Sequence, residues 1–313
     1  MTGRIITYDH AVYDLPVLLE WKLIYTGSVP CDEFSVTCLY SAEMAEALHR
    51  AVSFLAMDGT ALLLRGIVDE YLISQSAAGR TVTITGRGLA ARLLDNESRA
   101  VTYQAATLEE ILRSHVTPYG IPCTRAASVR ASSVYTVASG TSQWKALEEF
   151  CRTYGGFSPR FQRDGSLVAA AESGGSRFSI GDDTALVSLT KRENHYGVLS
   201  EVLVIDKTRN VFYSVKNQDF LSRGGQCRRV LYTPGQSTWG AMRYTGEYQI
   251  AQSKGDEAVL TACLPGTLAV SPGDRVALDV SACGLTGEYR VSETEQYGSP
   301  SGATTTLTMK ESG

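Results

Sequence analysis

The sequence predicts a mainly β protein of the α+β class, with two strand-rich ends, residues 1–95 and 176–313, flanking a small α+β module at 96–175. Three observations predict this. Apolar and polar residues alternate with a period near two in both ends. Asp-Gly and Pro-Gly-Asp turn signals separate those runs. The clearest helix-capping patterns fall in the middle.

In the N-terminal segment Phe34, Val36 and Cys38 alternate with Ser35, Thr37 and Leu39, the pattern of a half-buried strand. Ser41 is placed to N-cap a short helix over 42–50. Two apolar runs, 51–57 and 60–68, flank Asp58-Gly59, a hairpin signal because both turn positions tolerate positive φ. Thr81, Thr83 and Thr85 alternate with Val82, Ile84 and Gly86, and residues 89–94 suit one or two helical turns. In the middle, Thr107 to Glu110 is a capping box ahead of Leu108, Ile111, Leu112 and His115 at helical spacing, with Pro118 to Gly120 ending the helix. A second helix starts near Thr141-Ser142, carries Trp144, Leu147, Glu148 and Cys151 on one side, and stops at Gly155-Gly156. A hairpin about Asp164-Gly165 follows. The endings Tyr119-Gly120 and Tyr154-Gly155 suggest a weak duplication of one helix-then-strand unit.

In the C-terminal segment strands are expected at 202–205 and 211–215, joined across 206–210. Residues 221–239, with Arg223, Arg228 and Arg229 among glycines, read as an exposed connection. A helix over 238–254 would present Ala241, Tyr244, Tyr248 and Ala251 on one face. Short strands at 257–264, 275–280, 288–293 and 304–309 are separated by turn clusters such as Pro272-Gly273-Asp274, as in a sandwich or barrel.

Charge and composition exclude several functions. Lys and Arg number 29 against 33 Asp and Glu, a net charge of -4, which disfavours tight binding of a nucleic-acid backbone. No apolar run approaches a membrane span, and Asp9, Asp14 and Glu20 interrupt any leader-like stretch. The seven cysteines (31, 38, 123, 151, 227, 263, 283) are odd in number, scattered and without CxxC, so reduced thiols and cytosolic synthesis are expected.

No residue stands out as catalytic, cofactor-binding or metal-ligating. His10, His49, His115 and His195 lie far apart, outside any zinc spacing. Asp9-His10 and Glu193-Asn194-His195 are chance neighbours rather than acid–base pairs. Residues 137–142 lack the GxSxG of a nucleophile elbow and read as a loop into a capped helix. Gly86-Arg87-Gly88 lacks the third glycine and the βαβ setting of a phosphate cradle. Glu109-Glu110 and Glu148-Glu149 sit on polar helix sides, and Asp182-Asp183 in a turn. The Asn96-Glu97-Ser98 sequon has no meaning without secretion. Sixteen tyrosines suit subunit interfaces, although the interface residues remain unknown at this level.

Two stretches carry a resemblance to a family. Phe34-Ser-Val-Thr, Asp58-Gly-Thr-Ala-Leu-Leu-Leu-Arg-Gly-Ile-Val-Asp69 and Thr81-Val-Thr-Ile-Thr-Gly-Arg-Gly-Leu-Ala-Ala-Arg-Leu-Leu-Asp95 look like the N-terminal part of Mu-like phage tail baseplate hub proteins. Pro272-Gly-Asp-Arg-Val-Ala-Leu-Asp279, Gly287-Glu-Tyr-Arg-Val291 and Thr304-Thr-Thr-Leu-Thr-Met309 look like that family's C-terminal barrel. The resemblance implies two tail-tube-like β-barrel domains flanking the α+β module, and a homotrimer without cofactor. It implies an adapter between a hexameric tail tube and a trimeric spike, with tape-measure protein and baseplate wedge as further neighbours, in a phage tail, tailocin or other contractile injection system. Rival readings are a cell-wall hydrolase and a carbohydrate-binding β-module protein, but no lysozyme or peptidase extension is recognisable.

Overall fold

A computed structural model describes residues 1–27, 32–171, 174–233, 239–255 and 257–311. The first elements are β1 (Thr2–Thr7), β2 (Val12–Asp14), β3 (Leu18–Thr26), β4 (Glu33–Leu39), α1 (Met44–Arg50), β5 (Ala51–Asp58), β6 (Ala61–Ser76) and β7 (Gly79–Gly88). The strands form an antiparallel sheet in the order β3-β4-β7-β6-β5-β1-β2. The two-residue alternation sends Phe34, Val36 and Cys38 into one core with Val82 and Ile84. That core also holds Ile5 from one end of the sheet and Trp21 from the other, so the sheet curls around it. The β5–β6 turn falls on Gly59-Thr60, one residue later than the Asp58-Gly59 signal, because Asp58 still pairs with Ala61; Gly59 takes the positive φ, 58°. Helix α1 is shorter than expected and Ser41 does not cap it with its hydroxyl. Instead the Ser41 carbonyl accepts the Met44 N–H at 3.1 Å, closing a backbone turn that starts the helix two residues later.

The middle contains α2 (Ala91–Leu94), β8 (Val101–Tyr103), α3 (Leu108–His115), β9 (Cys123–Ala126), β10 (Tyr135–Val137), α4 (Gln143–Phe150), β11 (Arg160–Phe161) and β12 (Leu167–Ala169). Thr107 and Glu110 close the expected capping box on α3, and the Ser142 hydroxyl accepts the Lys145 N–H at the start of α4. Each helix runs through one further turn to a left-handed glycine, Gly120 at φ 68° and Gly156 at φ 69°. Strand β8 pairs with β10 in antiparallel fashion, and β9 pairs with β12 in parallel. Helices and strands enclose a core built on Ile111, Leu147, Phe150 and Leu167.

The last segment contains β13 (Arg177–Gly181), β14 (Ser188–Glu193), β15 (Glu201–Asp206), β16 (Val211–Lys216), α5 (Gln218–Ser222), β17 (Arg228–Thr233), α6 (Trp239–Lys254), β18 (Ala258–Pro265), β19 (Arg275–Val280), β20 (Leu285–Ser299) and β21 (Gly302–Glu311). Strands β14-β18-β21-β20-β19-β13 wrap a second core around Leu260, Leu278, Val291 and Met309. Strand β20 is long enough to serve both halves. Its first part pairs with β19 and its last part with β3, fusing the two ends of the chain into one thirteen-stranded sheet.

Between β14 and β18 the chain builds a separate unit, β16-β15-β17 with α6 packed on one face. Two expectations are corrected here. Residues 228–233, read as part of an exposed connection, form β17, parallel to β15. A parallel partner brings no hairpin turn to announce it, and the flanking glycines mimic a loop. The buried face of α6 is Met242, Gly246 and Ile250, not the Tyr244–Tyr248 side, which is exposed. Gly246 decides this: a Cβ there would stand 2.5 Å from Val215 Cγ2, so only glycine lets the helix approach the sheet so closely. The side chain of Ala241 and residues 234–238 lie outside the described residues.

Candidate functional site: the three-part junction and the open surfaces

Several of the polar groups weighed as chemical candidates are engaged in folding contacts. His10 occupies the turn after β1 at φ 67°. The Asp9 carboxylate next to it accepts from the Thr7 hydroxyl and the Arg50 guanidinium, which hold it below the usual carboxylate range. His49 is exposed in the last turn of α1. His115 is buried, its Nδ1 2.6 Å from Gln143 Oε1 and its Nε2 3.0 Å from the Tyr103 hydroxyl. Gln143 in turn donates Nε2 to the Glu97 carbonyl at 3.1 Å. Nδ1 thus donates to the Gln143 oxygen, and the ring bridges α3, α4 and β8.

His195 is exposed with its ring against Phe220, and Glu193 pairs with Lys191 at 2.6 Å. Asp182 caps the turn after β19, accepting from the Ser281 hydroxyl and, at 2.9 Å, the Ser281 N–H. Arg87 of Gly86-Arg87-Gly88 forks between Asp69 and Asp95, with four contacts of 2.8–3.1 Å. Gly86 is glycine because the Phe34 ring and the Ile67 carbonyl leave no room for a Cβ. Among the described residues no group of three or more His, Cys, Asp or Glu side chains converges on a metal-sized site. The six described cysteines are free thiols, and Cys31 lies outside the described residues.

Where the two sheet halves meet the middle module there is a cleft of about 760 Å³. Tyr25, Asp32 and Leu62 line it from the first half, Arg160, Phe161 and Arg163 from the module, and Pro272, Arg290 and Lys310 from the second half. Arg163, near the tip of the β11–β12 hairpin, ties all three. Its Nη2 donates to the Val270 carbonyl at 2.7 Å, its guanidinium stacks 4.4 Å above the Tyr25 ring, and its own carbonyl accepts the Arg65 N–H at 3.0 Å. The Tyr25 hydroxyl continues the tie to the Leu63 carbonyl at 3.0 Å. Burial pushes the Asp32 carboxyl up to about 6, although the Thr26 N–H at 2.9 Å and the Arg163 charge pull it down. The pattern around Asp164-Gly165 reveals the hairpin but nothing about where its tip lands, so Arg163 and Asp32 were not legible as a junction.

Two surfaces remain. On the large sheet, Thr37, Thr83, Thr261, Thr306 and Thr308 point away from the cores, and charges among them pair, as in Lys22–Glu295 at 2.7 Å. On the inserted unit the sheet face opposite α6 exposes Phe212 and Tyr232, at 63% and 59%. These are aromatic surfaces that the sequence count of tyrosines hinted at without locating.

No protein-family profile matches the sequence, and no curated protein matches it. Solved structures do. A tail protein from Neisseria meningitidis MC58 shares 15% identity with a TM-score of 0.75, over 100% of this chain and 97% of that one. The 43 kDa tail protein of prophage MuSo2 from Shewanella oneidensis shares 13% identity with a TM-score of 0.80, over 99% and 98%. A type VI secretion system component from E. coli, itself similar to phage T4 tail proteins, shares 10% identity with a TM-score of 0.57, over 95% and 74%. At these identities the likeness is one of fold, and it runs the full length of the chain.

Proposed function

We propose that this chain is the structural hub of a phage-type tail, a homotrimeric adapter joining a hexameric tail tube to a trimeric spike. The observation that supports it most is the end-to-end likeness to two tail proteins, one of them from a prophage, over at least 97% of each chain. A fold with two curled β halves fused along β3 and β20 also suits the task, because three chains with two such halves each can meet a six-fold ring. On this reading the threonine-paved sheet face borders the channel. Hydroxyls and matched ion pairs offer a passing polyanion little to hold, and the chain as a whole is acidic. No step of chemistry is proposed; Asp9, Asp182 and Glu193 serve turns and ion pairs, and His115 a buried bridge.

A density map of the assembled tail tip tests the proposal. It should contain three copies, with the two β halves of each arranged as six around one ring. A different copy number, or halves that do not alternate around the ring, would remove it.

A further inference from the structure

Building on the homo-oligomer of the proposed function, we infer that the open sheet face of the inserted unit docks head-to-tail onto the N-terminal edge of a second copy. Strands β15, β16 and β17 bury Val202 and Val204 under α6, so alternation turns Leu203, Ile205, Phe212, Val230 and Tyr232 to the other side. The register makes this one patch: Ile205 lies opposite both Phe212 and Tyr232, and Leu203 opposite Val230. At its margin Lys207 Nζ sits 4.0 Å from the Tyr232 ring centre, and Arg228 pairs with Glu201 at 2.6 Å. An apolar centre with a rim of charge is the anatomy of a protein–protein contact.

Charge indicates which protein. Residues 199–254 carry eight Lys and Arg against four Asp and Glu, net +4, on a chain whose total is -4. The rest of the molecule is therefore strongly acidic, and another copy of it is an electrostatic match for the insert. The matching patch is the stretch 8–20, which holds Asp9, Asp14 and Glu20 and no Lys or Arg, although Arg4 and Arg50 offset part of that charge. It exposes Tyr8, Val12 and Val17, the last at 85%. In strand order β2 ends one side of the large sheet and β14, from which the insert emerges, ends the other. Two different patches at opposite ends make a heterologous contact, which closes into a ring when the rotation fits.

The experiment uses two double variants, Phe212→Glu with Tyr232→Glu on the sheet face, and Val12→Lys with Val17→Lys on the edge. All four positions are exposed, and unchanged circular dichroism and melting confirm folding. In sedimentation velocity the wild type should form a closed trimer and each variant alone a monomer. Their equimolar mixture should form a two-copy complex and stop there, because each partner keeps one working face. Should the first variant misfold, Lys207→Glu with Lys216→Glu replaces it and should weaken self-association at least about tenfold. A wild type that stays monomeric at its solubility limit, a variant that keeps the wild-type mass, or a mixture that stays monomeric would each overturn the inference. A wild type that binds a single-stranded oligonucleotide, with the sheet-face variant losing that binding while self-association stays intact, would also overturn it. Three copies in the tail-tip map, together with variants that still trimerise, would retain the hub and remove only this contact.

Discussion

The two α+β units of this chain are built to opposite ends. The middle module closes around its own core of Leu108, Ile111, Trp144, Leu147 and Phe150, pairs its buried His115 with Gln143, and is tied to both sheet halves by Arg163. The insert between β14 and β18 has a core of five buried residues, Leu199, Val202, Val204, Met242 and Ile250, and leaves aromatic rings on both its sheet and its helix in contact with water. Similar amounts of secondary structure thus serve different purposes. A unit that buries its apolar surface within the chain is complete in itself, and one that leaves that surface open offers it to another molecule.

The sharpest way to break this comparison is through the module's core. Phe150 is fully buried against Tyr135 and Tyr154, so Phe150→Ala should cost about 3–5 kcal/mol in denaturant unfolding. A loss below about 1 kcal/mol would mean the module is as loosely built as the insert.

A smaller and more local effect is expected in the insert. Gly246→Val drives a side chain into Val215 and should cost about 1–3 kcal/mol by overpacking. Hydrogen exchange should then show β15–β17 opening while the β3–β20 seam stays protected, since the insert's core is separate. Loss of protection across the seam would show that the two are coupled.

The tie between module and sheet is read by pH. The folded Asp32 carboxyl holds its proton up to about pH 6, whereas in the unfolded chain it loses it near pH 4. The folded state binds more protons in that window, so this group's contribution to stability falls as pH rises from about 4 to about 6. Asp32→Asn keeps an acceptor for the Thr26 N–H and removes the buried charge. Its melting temperature should match the wild type below pH 4 and exceed it above pH 6, and a constant difference at all pH values would contradict the assignment.

The smallest effect is expected where the comparison predicts none. Phe212→Ser, on the open face, should change monomer stability by no more than about 0.5 kcal/mol. A loss near that of Phe150→Ala would place Phe212 within a core and end its role as a surface.

The sequence by itself determined the local elements. Alternation at 34–38 and 81–86, the hairpin signals at Asp58-Gly59 and Asp164-Gly165 and the Thr107–Glu110 box all act over a few residues, where backbone geometry and capping decide, and the structure has each of them, with the first turn one residue later, at Gly59-Thr60. The mainly β class follows from those elements and is also the fold of the prophage tail protein that covers the chain. What only the tertiary structure decided is how elements distant in sequence meet. Pairing of β20 with β3 joins residues some 270 positions apart, and no periodicity encodes a partner strand. The face that α6 buries was set by Gly246 against Val215, overriding the apolar stripe through Tyr244 and Tyr248. Arg163 and Asp32 became a junction, and Phe212 and Tyr232 a surface, only because of what the fold brought near them or left uncovered. Exposure and contact depend on the whole chain's packing, and a short sequence pattern cannot carry them.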